Sequence, residues 1–177
     1  AGAIGYRSLR LTGIQDGQLL GLTGFGASAH LVLKMVRHRY PAVAVFVFAR
    51  SETERLFARE LGAVWTGDAE EDPPEKLDAI IDTTPAWRPV VAALGKLKSG
   101  GRLVINAIRK EDGDRPRLLD LDYSRDLWLE KQLVSVANVT RRDIRECLEL
   151  AAAIPIRPEY REYSLTEANR ALRELKE

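Results

Sequence analysis

The residues with the clearest chemical meaning are Gly24-Phe25-Gly26-Ala27-Ser28-Ala29. They form a Gly-x-Gly-x-x-Ala turn between an apolar run, Leu19-Leu20-Gly21-Leu22-Thr23, and a helical stretch at 27–38. Gly24 permits a tight turn. Gly26 lets backbone approach a ligand with no side chain in the way, and Ala29 is small enough for the helix to pack on the strand. Free N–H groups and the positive end of the helix dipole then face whatever sits on the turn, which favours a pyrophosphate. Loops collect glycines for structural reasons too, so the turn alone decides little. The strand before it, the helix after it and a second strand about twenty residues on are the context a dinucleotide site requires. Gly24, Phe25, Gly26 and Ala27 are therefore the expected cofactor-binding turn.

The second strand ends Phe48-Ala49-Arg50-Ser51. A site for NAD usually places an Asp or Glu here, on the ribose hydroxyls. Ala49 occupies that place and Arg50 follows. Without the carboxylate a 2′-phosphate meets no repulsion, and a guanidinium can bind it in a fork. NADP is thus expected ahead of NAD, with Arg50 and Ser51 as phosphate ligands. Each has a plainer reading: Arg50 as a solvated residue at a strand end, Ser51 with Glu54 as a capping box.

These residues need a scaffold. Of the 177 residues, 45% are hydrophobic, enough for one domain with a real core. Apolar runs alternate with helical patterns. Strands are expected at 19–23, 43–48, 63–65, 79–82, 102–105 and 133–137, and helices at 27–38, 52–61, 86–97, 124–130 and 141–153. Residues 68–76 and 109–117 read as charged loops, Ser99-Gly100-Gly101 as a turn, and 155–163 as a return connection. Ser164 and Glu167 form a capping box for a last helix. Strands separated by helices imply an α/β fold: a doubly wound, parallel, six-stranded Rossmann-type sheet with helices on both faces. Ligands bind such sheets at the carboxyl ends of the strands, which adds Thr83, Thr84, Asn106 and Ala107 as ribose and nicotinamide contacts. Asp82, also at a strand end, reads as a backbone or helix anchor.

Several function classes recede. A net charge of +1 gives no reason to expect nucleic acid or an acidic membrane surface. No apolar run approaches the ~18 residues of a membrane span. Cys147 is the single cysteine, so no internal disulfide forms and a reducing, cytoplasmic setting is expected. His30, His38 and Cys147 lack spacing suited to zinc; His30 and Cys147 read as packing residues.

Taken together, the motifs resemble the medium-chain dehydrogenase/reductase superfamily, on its zinc-type alcohol dehydrogenase branch. Ala1-Gly2-Ala3-Ile4-Gly5-Tyr6-Arg7-Ser8-Leu9 resembles the segment leading into that branch's cofactor domain. Gly24-Phe25-Gly26-Ala27-Ser28-Ala29-His30 resembles its Gly-x-Gly-x-x-Gly-His turn. Ala58-Arg59-Glu60-Leu61-Gly62-Ala63, Gly100-Gly101-Arg102-Leu103-Val104 and Glu167-Ala168-Asn169-Arg170-Ala171-Leu172 resemble later segments in order. Ile4 stands where the family often has a Thr that touches nicotinamide, and Ala29 replaces the third glycine.

The resemblance implies that residues 1–177 are a single NAD(P)-binding domain, cut from an enzyme whose N-terminal, GroES-like catalytic domain holds the zinc. It implies hydride transfer between NADP(H) and an alcohol or aldehyde, and a homo-oligomer formed through the sheet edge near 116–137. This portion alone is expected to hold no metal and to catalyse nothing. Two other readings stay open: a zinc-free quinone-reductase-like enzyme of the same superfamily, and a nucleotide-sensing regulatory domain, whose fold would be shared.

Overall fold

A computed structural model of the chain describes residues 1–154, 156 and 160–174. Helix α1 (Gly2–Thr12) leads into β1 (Leu19–Thr23), α2 (Ala27–Arg39), β2 (Ala44–Phe48), α3 (Glu52–Glu60) and β3 (Trp65–Gly67). Then come β4 (Leu77–Asp82), α4 (Arg88–Lys96), β5 (Leu97–Ile105), β6 (Gln132–Ser135), α5 (Arg141–Ala153) and α6 (Ala168–Glu174). The six strands form one sheet in the order β3-β2-β1-β4-β5-β6. Every neighbouring pair is parallel.

A parallel sheet must be covered on both faces, and the strand residues divide accordingly. Val45, Val47 and Ile81 pack with α1 and α2 through Tyr6, Leu33 and Val36. Phe46, Phe48 and Ile80 face the other way, onto Val90 and Leu94 of α4. The order of the strands reverses between β1 and β4: β1–β3 are added outward to one side, β4–β6 to the other. The register sets Thr23 level with Phe48 and Asp82, and Asp82 level with Ile105. A crevice therefore opens over the carboxyl ends of β1 and β4.

Among residues that do not line that crevice, α1 is fastened to α5 by charge. Asp143, fully buried, accepts hydrogen bonds from Arg7 at 2.7 Å and from Arg10 at 2.9 and 2.7 Å. It also closes the capping box with Thr140. Burial alone would raise the Asp143 carboxyl, but the Thr140 donors and the two guanidinium groups outweigh it and hold the group well below the usual range. The Tyr6 hydroxyl donates to Glu146 at 2.8 Å on the same helix pair.

Several elements depart from the sequence pattern. The third strand falls at Trp65–Gly67, not 63–65, because the Gly62 and Ala63 N–H groups turn back to Arg59 and Ala58 to finish α3. Ser99-Gly100-Gly101 is no turn between elements. Strand β5 runs through it, and the pairing with β4 slips between Leu77 and Ala79 while Gly100 takes φ +70°. The expected helix at 124–130 is a five-residue π-helical turn, Tyr123–Leu127, which stops where Leu129 and Glu130 turn left-handed. Part of the charged loop, Arg115–Asp120, coils as a 3-10 helix. Strand β6 ends two residues early. Of the return connection at 155–163, residues 155 and 157–159 lie outside the described residues, as does the chain's end at 175–177. The capping box of Ser164 and Glu167 forms as expected.

Candidate cofactor site

The crevice is a cleft of about 590 Å³. Its lining includes Gly24, Phe25, Gly26, Ala27, Arg50, Thr83, Thr84 and Asn106, so the structure gathers eight of the ten expected residues from four separate turns. Ser51 and Ala107 do not line it. Thr23, Ser28, Phe48, Ala49, Glu54, Ala69, Pro85, Ala86, Pro89 and Glu111 line it as well.

The two glycines of the turn serve different ends. Gly24 sits at φ +76°, and a Cβ there would meet Thr83 Oγ1 at 2.9 Å and Thr84 Cγ2 at 3.0 Å. The fold itself needs this glycine. Gly26 has nothing within 4 Å of where its Cβ would stand, and its φ of −88° suits any residue. What its missing side chain leaves free is the cleft. Gly26 is also the N-cap of α2 and supplies no side-chain cap. The N–H groups of the helix's first turn, which no helix can satisfy internally, are left for a ligand. Phe25 turns inward, 4% exposed, and meets Phe57 of α3 edge-on at 5.7 Å between centroids. It anchors the turn with its ring and offers the cleft its backbone.

At the far end of β2, Ala49 is buried and its N–H donates to the Gly67 carbonyl at 2.9 Å. The Arg55 guanidinium donates to the carbonyls of Ala49 and Arg50, at 2.9 and 3.3 Å, which fixes the loop's backbone. Among the described residues none pairs with the exposed Arg50 side chain. Ser51 caps α3: its hydroxyl donates to Glu54 Oε2 at 3.1 Å and accepts from the Glu54 N–H at 3.2 Å.

Across the cleft, Thr83 Oγ1 donates to the Thr23 carbonyl at 3.0 Å and so joins the ends of β1 and β4. The Asn106 N–H donates to the Asp82 carbonyl at 2.7 Å. Asp82 is fully buried, as an anchor should be, and accepts from Thr84 Oγ1 at 2.7 Å. Its other oxygen accepts from Lys110 Nζ. Burial pushes the Asp82 carboxyl up, against the pull of the Lys110 ammonium and the Thr84 donors. The Asp82–Lys110 pair was not evident in sequence. Lys110 sits in a run of exposed charges, and nothing local marks it.

His30 behaves as a packing residue, with Nδ1 folded back 3.1 Å from the Gly26 carbonyl and its ring against Phe57. Cys147 is buried on the α5 face and desolvation pushes its thiol up, as suits a packing residue. Among the described residues no three His, Cys, Asp or Glu side chains gather as a metal would require. Among them, too, no helix is long and apolar enough to cross a membrane.

No protein-family model matches the chain. Among curated proteins, the "Probable alcohol dehydrogenase AdhA" of Mycobacterium tuberculosis is 39% identical over 175 residues, which is 99% of this chain and 49% of that protein. Among solved structures, CAD from Helicobacter pylori complexed with NADP(H) superposes with a TM-score of 0.80 at 20% identity, covering 99% of this chain and 49% of that one. Acetophenone reductase from Geotrichum candidum in complex with NAD gives 0.78 at 16% identity, over 99% of this chain and 50% of that one. The chain thus spans about half the length of the proteins it matches. The sheet order agrees with this pattern of relatives: the chain is similar along its length to about half of a curated alcohol dehydrogenase, and its fold is that of dehydrogenases of known structure, as the resemblance to the medium-chain dehydrogenase/reductase superfamily implies.

Proposed function

We propose that this chain is the NADP(H)-binding portion of an oxidoreductase that moves hydride between the cofactor and an alcohol or aldehyde. The Arg50 guanidinium, which pairs with none of the described residues, carries the choice of NADP over NAD: Ala49 stands where an NAD site keeps a carboxylate, and a free cation follows it. Gly24, Phe25, Gly26 and Ala27 would hold the pyrophosphate through backbone N–H groups. Arg50, joined by Ser51 if its hydroxyl swings from Glu54, would take the 2′-phosphate. Thr83, Thr84 and Asn106, with Ala107 next in the chain, would receive the ribose and the nicotinamide. When bound, the nicotinamide ring supplies hydride exchange at its C4. Zinc and the substrate pocket belong to the portion of the enzyme outside this chain.

The same reading places the protein in the cytoplasm, in keeping with one buried thiol, and makes it a homo-oligomer through 116–137. There β6 is the sheet's edge, and Tyr123, Trp128, Leu129 and Leu133 are each at least half exposed beside it. An open edge next to apolar side chains invites a second copy.

Titration of the 177-residue chain, read through Trp65, Trp87 and Trp128, tests the proposal. NADPH should bind at least about tenfold more tightly than NADH, a margin of about 1.4 kcal/mol. The chain alone should oxidise no alcohol. Equal affinity for the two cofactors would remove the assignment to Arg50, and turnover by the purified chain would remove the division of labour.

A further inference from the structure

Lys110 belongs by sequence to a solvated loop, yet only 8% of its side chain is exposed. Its ammonium has three protons and meets three acceptors: Asp82 Oδ2, the Thr84 carbonyl at 2.7 Å and the Ala86 carbonyl at 3.1 Å. Asp82 Oδ1 accepts in turn from the Thr84 hydroxyl at 2.7 Å. The turn after β4 is thus wrapped around a single cation. Lysine is seldom buried without such complete pairing, because a stranded ammonium in a low dielectric is very costly.

Two further ties run between the same two segments. The Glu111 N–H donates to the Pro85 carbonyl at 2.7 Å. Asp114 Oδ2 accepts from the Trp87 and Arg88 N–H groups, at 2.8 and 2.7 Å, and so caps α4. Thr84, Pro85, Ala86, Asn106 and Glu111 all line the cleft. None of these hydrogen bonds reaches the β1–α2 turn or Arg50; the two sides meet where Thr83 and Thr84 pack on Gly24. The wall beyond the pyrophosphate turn is therefore one unit, with Lys110 at its centre.

We propose that Lys110 is a positioning residue for the dinucleotide: through Asp82, Thr84 and Ala86 it sets the wall that receives the nicotinamide half, and it has no part in holding the adenosine half. The proposal rests on the dinucleotide reading above and adds to it a residue that touches no ligand.

The test compares a whole ligand with its half. NADPH spans both walls, whereas 2′,5′-ADP reaches only the phosphate and adenosine side. In Lys110→Met, NADPH should bind about tenfold or more weakly, the scale of one lost orienting contact, while 2′,5′-ADP stays within about twofold. Lys110→Met strands the Asp82 charge at a cost in stability, so Asp82→Asn/Lys110→Met, which removes both charges, is measured beside it. The double variant should show the same selective loss, with faster amide exchange at 83–88 and unchanged exchange at 24–29. Variants that lose both ligands equally, or neither, overturn the positioning role while leaving the dinucleotide reading intact. A parent chain that binds neither ligand overturns the dinucleotide reading, and the role of Lys110 with it.

Discussion

At Gly24 and Gly26 the cleft is walled by backbone, shaped by a few consecutive residues; across it the wall hangs on Asp82 and Lys110, 28 residues apart. The first wall offers a ligand N–H groups whose direction follows from φ, ψ and a helix start. The second would offer side chains and turns whose position follows from a buried charge pair. Local geometry tolerates little change at Gly24, which packs against Thr83 and Thr84, and leaves Gly26 open to the cleft. The ion pair tolerates exposure nowhere and couples the end of β4 to everything at 106–114. One consequence is that the two walls should fail differently when broken.

The largest expected effect lies in the backbone wall, and it separates the two glycines. Gly24→Ala forces a left-handed non-glycine residue and pushes a Cβ into Thr83 and Thr84. The strain of about 1–2 kcal/mol and an overpacking cost of about 1–3 kcal/mol together give a loss of about 2–5 kcal/mol in urea denaturation. Gly26→Ala should change stability by less than about 0.5 kcal/mol, since its Cβ meets only the open cleft. Yet NADPH titration of Gly26→Ala should show binding cut at least about tenfold, because the methyl stands where backbone must approach the pyrophosphate. If Gly26→Ala unfolds as readily as Gly24→Ala, the distinction between a glycine for the fold and a glycine for the ligand is lost.

A charge cluster whose residues do not line the cleft provides the control for the second wall. Asp143→Asn removes a buried carboxylate from Arg7 and Arg10, whose side chains are 20% and 31% exposed. Because both cations can reach water, the cost should be about 2–3 kcal/mol, below the about 3–5 kcal/mol of a fully enclosed pair. Affinity for NADPH should not move. The pH dependence has a definite sign. The folded state holds the Asp143 carboxyl below its unfolded value of about 3.9, so its stabilisation is complete above that pH and is lost as pH falls. Stability of the parent should drop between about pH 4 and pH 2, and the drop should be visibly shallower in Asp143→Asn. A drop of the same depth in both would assign acid sensitivity elsewhere.

Next in size is the cation at the rim. Arg50→Ala removes a charge-assisted bond worth about 1.5–3 kcal/mol, or about 10- to 150-fold in NADPH affinity, and leaves NADH nearly unchanged. Ala49→Asp should lower NADPH affinity and raise that for NADH. Equal weakening of both cofactors by Arg50→Ala would point to shape rather than phosphate binding.

The contrast between the walls also explains what could be read from the amino acids alone. The alternation of strands and helices, the glycine turn and the place of Arg50 follow from patterns spanning fewer than about thirty residues, the length of a βαβ unit. Thr83, Thr84 and Asn106 followed from one topological rule, that ligands sit at strand ends. Lys110 escaped because its burial depends on how two loops meet after the sheet has formed; in sequence it is one charge among Arg109, Glu111 and Asp112. Asp143 escaped for the same reason, its partners lying 136 and 133 residues away. The bulge at Gly100 was misread because a glycine pair that breaks a pattern can be a turn or a slip in register, and only the β4 pairing tells them apart.

The smallest effect is the most informative about Ser51. Its hydroxyl has one proton, and that proton is directed at Glu54 Oε2; its lone pair accepts the Glu54 N–H. A phosphate is an acceptor, so to bind it Ser51 must withdraw its proton from a carboxylate and give up half of a capping box. Glu54 itself lines the cleft, and a carboxylate released there would face the same phosphate. Both considerations favour the cap over the ligand. Ser51→Ala should then cost about 1 kcal/mol of stability, the usual worth of an N-cap, and leave the ratio of NADPH to NADH affinity within about twofold. A tenfold fall in that ratio with stability unchanged would place the hydroxyl on the phosphate beside Arg50. It would also mean that the rim of the cleft rearranges when the cofactor binds, so that the backbone wall is rigid only at its glycines.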